Sequence, residues 1–113
     1  MISSRGGRIV VPEYGPLGIP KALADHIVRY LAVELAPRGI RANMVAPGAL
    51  DTPAYRAMFP DTYEERLAAS AAGNPSGRGL EFEDVGGVIE RLSGPEFAMV
   101  QGQYIAVDGG NSL

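Results

Sequence analysis

The sequence predicts an α/β fold built on parallel strands, and three observations carry that prediction. From Lys21 to Ala36, Leu23, Ile27, Val28, Leu31, Ala32 and Leu35 recur at helical intervals, with Asp25, Arg29 and Glu34 between them. Pro37 and Gly39 end this helix and deliver the chain into an apolar run, Ile40 to Ala46, closed by Pro47-Gly48. A last strand-like segment, Gln103 to Val107, stops at the turn sequence Asp108-Gly109-Gly110. Helix, short turn and buried strand in succession form an α/β unit.

The remaining elements follow in order. Ile2-Ser3-Ser4 reads as the end of a strand that precedes the main helix. Asp61 to Ala72 reads as a second, surface helix, with Asp61 as N-cap, Glu64 three residues on and Gly73 as its stop. A third helix starts at Glu83-Asp84, where negative charge is favoured, and carries Val85, Val88, Ile89 and Leu92 up to Gly94. Gly86-Gly87 inside it cost about 1 kcal/mol each relative to alanine. No repeat, low-complexity tract or Ser/Gly linker divides residues 1–113, so a single domain is expected.

Composition narrows the function. At 113 residues, 46% hydrophobic and 20% charged, the chain can bury a core, which argues against disorder. A net charge of −3 disfavours binding to a nucleic-acid backbone. The absence of Cys removes disulfides, thiolate nucleophiles and Cys-ligated metals. His26 stands alone, so no metal is expected, and no uncharged apolar run reaches the roughly 20 residues needed to span a bilayer. A soluble, cytoplasmic protein with a small-molecule or protein partner is expected.

Three residues could carry chemistry: Ser4 at the strand end, Tyr14, and Lys21 seven residues further on. A cation near a phenol favours the phenolate, so a Tyr beside a Lys can give up a proton near neutral pH. Seven helical steps of about 100° return two side chains to one face. Gly15, Pro16, Gly18 and Pro20 punctuate the interval, however, so Tyr14 is expected on a loop and the helix is expected to begin near Lys21. By spacing alone the signal is weak, and a packed Tyr beside a surface Lys accounts for it better. Pro47 to Thr52 follows a strand, where open α/β sheets bind ligands, but it also fits a plain turn with Asp51 or Thr52 capping a helix. Residues 53–74 fit a substrate lid or a surface helical excursion.

Taken together, ISS, Tyr14-x6-Lys21, RYLAVELAPRGIRANMVAPGALDT, PSGR at Pro75 to Arg78 and the terminal GQYIAVDGG resemble, in their order, the short-chain dehydrogenase/reductase family. The resemblance implies the C-terminal half of a Rossmann-like doubly wound parallel sheet, three strands with flanking helices, as one partial domain over 1–113. The family's Gly-rich phosphate loop, its cofactor selector and its Asn-Ala-Gly strand would precede Met1. Most members place Tyr four residues before Lys, a position held here by Leu17. The longer spacing, with RYLAVELAPRGI and GALDT, looks most like type III enoyl-acyl-carrier-protein reductases of bacterial fatty-acid synthesis. Pro20 departs from the relatives, which carry a small residue with an N–H before the Lys.

The resemblance implies hydride transfer from NADH or NADPH to the β-carbon of a trans-2-enoyl thioester carried on acyl carrier protein or CoA. Tyr14 would hydrogen-bond the thioester oxygen where charge develops, Lys21 would hold the nicotinamide ribose and assist Tyr14, and Ser4 would line the same site. Pro47, Gly48, Leu50 and Thr52 would contact the cofactor, and Tyr55, Met58 and Phe59 in a lid over 53–74 would meet the acyl chain. Arg78 would tie that lid to the sheet. Without the phosphate loop, this chain alone should bind cofactor weakly or not at all. A homo-oligomer joined through the main helix and final strand, or a complementing N-terminal half, is expected. Two other functions fit the same residues: a non-catalytic assembly module, and a keto-group reductase.

Overall fold

The computed structural model describes residues 1–113. Its main helix, α1, spans Gly15–Leu35 and so begins six residues before the predicted start. Tyr14 is its N-cap: the Tyr14 carbonyl accepts from the amides of Leu17 at 3.0 Å and Gly18 at 2.7 Å. Pro16 occupies the first turn, where a missing N–H costs nothing. Pro20 lies inside the helix and leaves the Pro16 carbonyl without its usual donor. Both prolines are exposed, so water can take that place and the helix runs on.

The buried face of α1 also differs from the predicted one. Gly18, Asp25, Val28 and Ala32 face inward, whereas Leu23, Ile27, Tyr30 and Val33 are exposed. Asp25 is tolerated inside because Arg8 donates to its Oδ2 from Nε at 3.1 Å and Nη2 at 2.8 Å, and Arg29 adds a third contact. The Arg8 guanidinium in turn lies 3.7 Å from the Tyr104 ring centroid. Gly18 is required where α1 meets the turn 5–7, since a Cβ there would sit 2.6 Å from the Gly6 carbonyl oxygen.

Strand β1, Met44–Pro47, pairs in parallel with β2, Tyr104–Val107, in the register Met44 to Tyr104 through Pro47 to Val107. On its other side β1 takes a parallel bridge from Ile2 to Val45. The order Ile2, β1, β2 therefore places three extended segments side by side. β1 is shorter than the predicted run from Ile40, because residues 41–43 spend their polar groups on side-chain contacts rather than on the ladder. Arg41 donates to the carbonyls of Leu92, Gly94 and Phe97, the Ala42 amide donates to Gln101, and Asn43 bridges Val100 and the Gln103 amide. Met44, Val45 and Ala46 form the core with Val28, Ala32 and Val85.

Beyond β1 the chain forms α2, Pro53–Met58, a short helix not predicted as an element, then α3, Tyr63–Ala72. α3 starts two residues after the predicted Asp61: Thr62 is its N-cap, reached through a turn in which the Thr62 amide donates to the Phe59 carbonyl. α4, Phe82–Ser93, has the predicted bounds within one residue, and the Glu81 amide donates to Asp84 at 2.9 Å at its start. Arg78 does not tie the lid to the sheet. Its guanidinium grips Asp84 with bonds of 2.7 and 2.6 Å, an acidic partner at a helix N-terminus being closer to hand than any strand. No helix is long and apolar enough to cross a membrane.

Candidate functional site

The C-terminal ends of the three parallel segments open on one edge, the position at which open α/β sheets bind ligands. Ser4 leaves the first segment with extended backbone, and its Oγ accepts from the Gly6 amide at 3.3 Å, keeping its own proton free to donate. This contact folds residues 5–7 into a 3-10 turn wedged between two candidate residues. Gly6 lies under the Tyr14 ring, where a Cβ would come within 2.5 Å of Cδ1, and a Cβ on Gly7 would come within 3.0 Å of the Lys21 backbone.

Because α1 is helical from Gly15 through Lys21, about two turns return Lys21 to the face of its Tyr14 cap. The helix thus continues through the proline-rich interval, with Tyr14 at its cap and Lys21 in its second turn. Lys21 Nζ donates to the Ile2 carbonyl at 3.3 Å, which leaves two further ammonium donors for a ligand.

Residues 53–74 meet this floor at Phe59 and Arg66. Phe59, at 4% exposure, stacks on Tyr14 with centroids 6.4 Å apart and planes at 20°, and it meets Tyr55 edge to face at 5.1 Å. The Arg66 guanidinium covers the Phe59 ring at 4.1 Å and pairs with Glu13, a residue held at φ 67°, next to Tyr14. Burial pushes the Tyr55 phenol above its ordinary range, against the opposing pull of Arg66 and Arg5, so Tyr55 stays neutral. Phe59 is therefore covered by its neighbours rather than presented as open surface, while Tyr55 and Met58 are half-buried.

After β1, the Gly48 amide donates to the Val107 carbonyl at 3.0 Å, and a Cβ on Gly48 would approach the Asp108 Cβ to 3.1 Å. Pro47 ends the strand and Leu50 is half-buried in the same loop. Thr52 caps α2, its Oγ1 accepting from the Tyr55 amide at 3.0 Å. Its hydroxyl proton remains available to a ligand. Lys21 and this glycine loop suit the ribose and carboxamide end of a nicotinamide nucleotide. The six-residue α2 begins there, with its Tyr55 amide taken up by Thr52. No group of three or more acidic, His or Cys side chains is gathered to hold a metal ion.

Sequence reasoning missed Glu13, Arg66, Arg5 and Asn111, whose importance rests on pairings between distant segments that no local pattern announces.

The family model described as enoyl-(acyl carrier protein) reductase matches residues 1–112. The chain is 31% identical over 112 residues to the enoyl-[acyl-carrier-protein] reductase [NADH] FabI of Escherichia coli, covering 99% of this chain and 42% of that protein. The Bacillus cereus enoyl-acyl carrier protein reductase, solved with NADP+ and indole naphthyridinone, superposes with a TM-score of 0.91 at 30% identity, over 99% of this chain and 43% of the other. The 3-oxoacyl-[acyl-carrier protein] reductase of Brucella melitensis, solved with NAD, gives 0.85 at 31% identity, over 98% and 43%. The chain spans less than half the length of each of these relatives. With that fold, strand order and match, the chain belongs to the enoyl-(acyl carrier protein) reductase family of short-chain dehydrogenases/reductases.

Proposed function

We propose that this chain is the C-terminal part of an NAD(P)H-dependent short-chain oxidoreductase that reduces the trans-2 double bond of an enoyl thioester in fatty-acid synthesis. The observation that supports the proposal is that Tyr14 caps α1 and Lys21 follows about two turns into the same helix, with Phe59 stacked on Tyr14. Four residues before Lys21 stands Leu17, which has no proton to give. Most members of the family place the reacting Tyr at that position, so the proposal gives the role to Tyr14, at the N-cap of α1, in keeping with the longer spacing of the enoyl reductases it resembles.

When bound, NADH or NADPH would supply the hydride to the β-carbon, and the enolate left on the substrate would take up a proton from solvent at its α-carbon. Tyr14 donates a hydrogen bond to the thioester oxygen as negative charge gathers there, which stabilises the enolate-like transition state more than the ground state. Lys21 would hold the ribose hydroxyls of the cofactor with the two ammonium donors not committed to the Ile2 carbonyl. Ser4 offers its hydroxyl proton to the same pocket, and Gly48 with Leu50 and Thr52 lines the nicotinamide side. Tyr55, Met58 and Phe59 exclude water from the acyl chain when the lid is closed. The exposed face of α1, with Leu23 at 62%, Tyr30 at 67% and Val33 at 74%, supports association with a second copy.

The test is reduction of a crotonyl thioester by the complete protein from its source, followed by nicotinamide oxidation. Tyr14→Phe should lower kcat by at least about a hundredfold while the protein stays folded. A β-ketoacyl thioester turned over faster than the enoyl thioester would replace this proposal with the keto-reductase function, which the likeness to the Brucella enzyme favours.

A further inference from the structure

We propose that Asn111 is a positioning residue of the lid, fixing helix α3 to the turn that follows Ser4. The word lid rests on the function proposed above, whereas the tie itself does not. Arg5 Nη1 donates to the Asn111 carbonyl at 3.2 Å and also to its Oδ1. The Nδ2 of the same carboxamide donates to the Ser70 carbonyl at 2.9 Å and to Ser70 Oγ at 3.3 Å. One side chain thus accepts from the floor of the site and donates to the lid. A carboxamide does both from two separate atoms, whereas a carboxylate has no proton to give and an ammonium no lone pair.

Both ends of this bridge matter to the site. Arg5 directly follows Ser4 and opens the turn whose Gly6 supports the Tyr14 ring. Ser70 lies one turn beyond Arg66 on α3, and Arg66 lies one turn beyond Thr62, so the three share a face. That face meets the floor twice, at Glu13 through Arg66 and at Arg5 through Asn111 and Ser70.

The C-terminal segment presents Asn111 in a fixed pose. Asp108, at 6% exposure, accepts from the Gly110 amide at 3.0 Å and from the Ser112 hydroxyl, and its carbonyl accepts from the Asn111 amide at 3.2 Å. Gly109 and Gly110 take φ of 63° and 92°, which wind the chain back toward α3. Ordering the carboxamide therefore costs little entropy, and its bonds act as a spacer of set length.

Hydrogen exchange measured by mass spectrometry on the protein as isolated from its source tests the role. Asn111→Asp keeps an acceptor for Arg5 but removes the donor to Ser70, so exchange over residues 63–72 should rise about fivefold while residues 82–93 and 104–107 stay at the wild-type rate. Asn111→Ala should also loosen residues 5–8. Unchanged protection of 63–72 in Asn111→Asp would overturn the proposal, as would an equal rise in every element, which would mark Asn111 as a general prop of the fold. With the crotonyl thioester, Asn111→Asp should raise KM several-fold and leave kcat within about twofold. A fall in kcat at constant KM would also overturn it. If α3 alone loosens but the wild-type protein reduces no enoyl thioester, the reductase function fails and the tie through Asn111 stands.

Discussion

Between β1 and the α1 face that covers it, Met44 and Ala46 are 0% exposed, and Val28, Val45 and Ala32 no more than 4%; α2 and α3 bury no residue of their own. The floor of the site is thus held by close apolar packing, which is non-directional and collectively strong. The lid is held by one aromatic, Phe59 in the loop between its helices, and by directional contacts through Arg66 and Asn111. A segment built this way opens at low cost and returns to one closed geometry, which is what the proposed function would ask of a lid over Tyr14.

The contrast makes the two anchors behave differently on truncation. Met44→Ala removes a fully buried side chain in the central strand and should lower unfolding stability by about 2–5 kcal/mol, read from urea melts. Phe59→Ala removes a larger side chain, yet the loss is capped by the free energy with which the lid closes. We expect at most about 2 kcal/mol in the same melts, together with new protease cleavage between residues 53 and 74. A Phe59→Ala loss as large as that of Met44→Ala, in one cooperative transition and without new cleavage, would merge lid and floor into one unit and remove the contrast.

The floor was more legible than the lid for the same reason. α4 and β2 announce themselves through periodic apolar residues and nearby turn signals, so both stand within one residue of their predicted bounds. Where the prediction slipped, contacts between distant segments had overridden local rules. Pro20 reads as a helix start, yet the chain is already helical because Tyr14 can cap it and Gly18 can meet Gly6. Asp25 reads as a surface residue until the turn after Ser4 delivers Arg8 to it. Phe59 reads as open apolar surface, but α2 folds behind Thr52 and turns the ring onto Tyr14. Tyr14, Lys21 and Ser4 are singled out in the sequence by their place in an ordered series of motifs, and the structure puts them at a helix cap, two turns into that helix and at the end of an extended segment. The pairings of Glu13 and Arg5 depend on α3 and the C-terminal segment, which lie far along the chain.

The smallest expected effect lies at the junction from lid to floor, residues 74–84, where the structure predicts a response to acid. Hydrogen bonds from the Arg78 side chain, and then from the Glu81 amide, pull the Asp84 carboxyl down to about 2. A carboxyl depressed in the folded state stabilises the fold fully above its ordinary value of 3.8 and loses that contribution as pH falls through about 2. Wild type should therefore exceed Asp84→Asn in stability at pH 5 by a modest margin, since the pair is open to solvent and screened by salt. The margin should shrink between pH 4 and pH 2 and vanish below, when both chains carry a neutral side chain at this position. Melts followed by circular dichroism across that range would show it. A margin that persists unchanged at pH 2 would mean that a hydrogen bond from the Glu81 amide that the asparagine variant does not reproduce, and not the charge on Asp84, orders the junction.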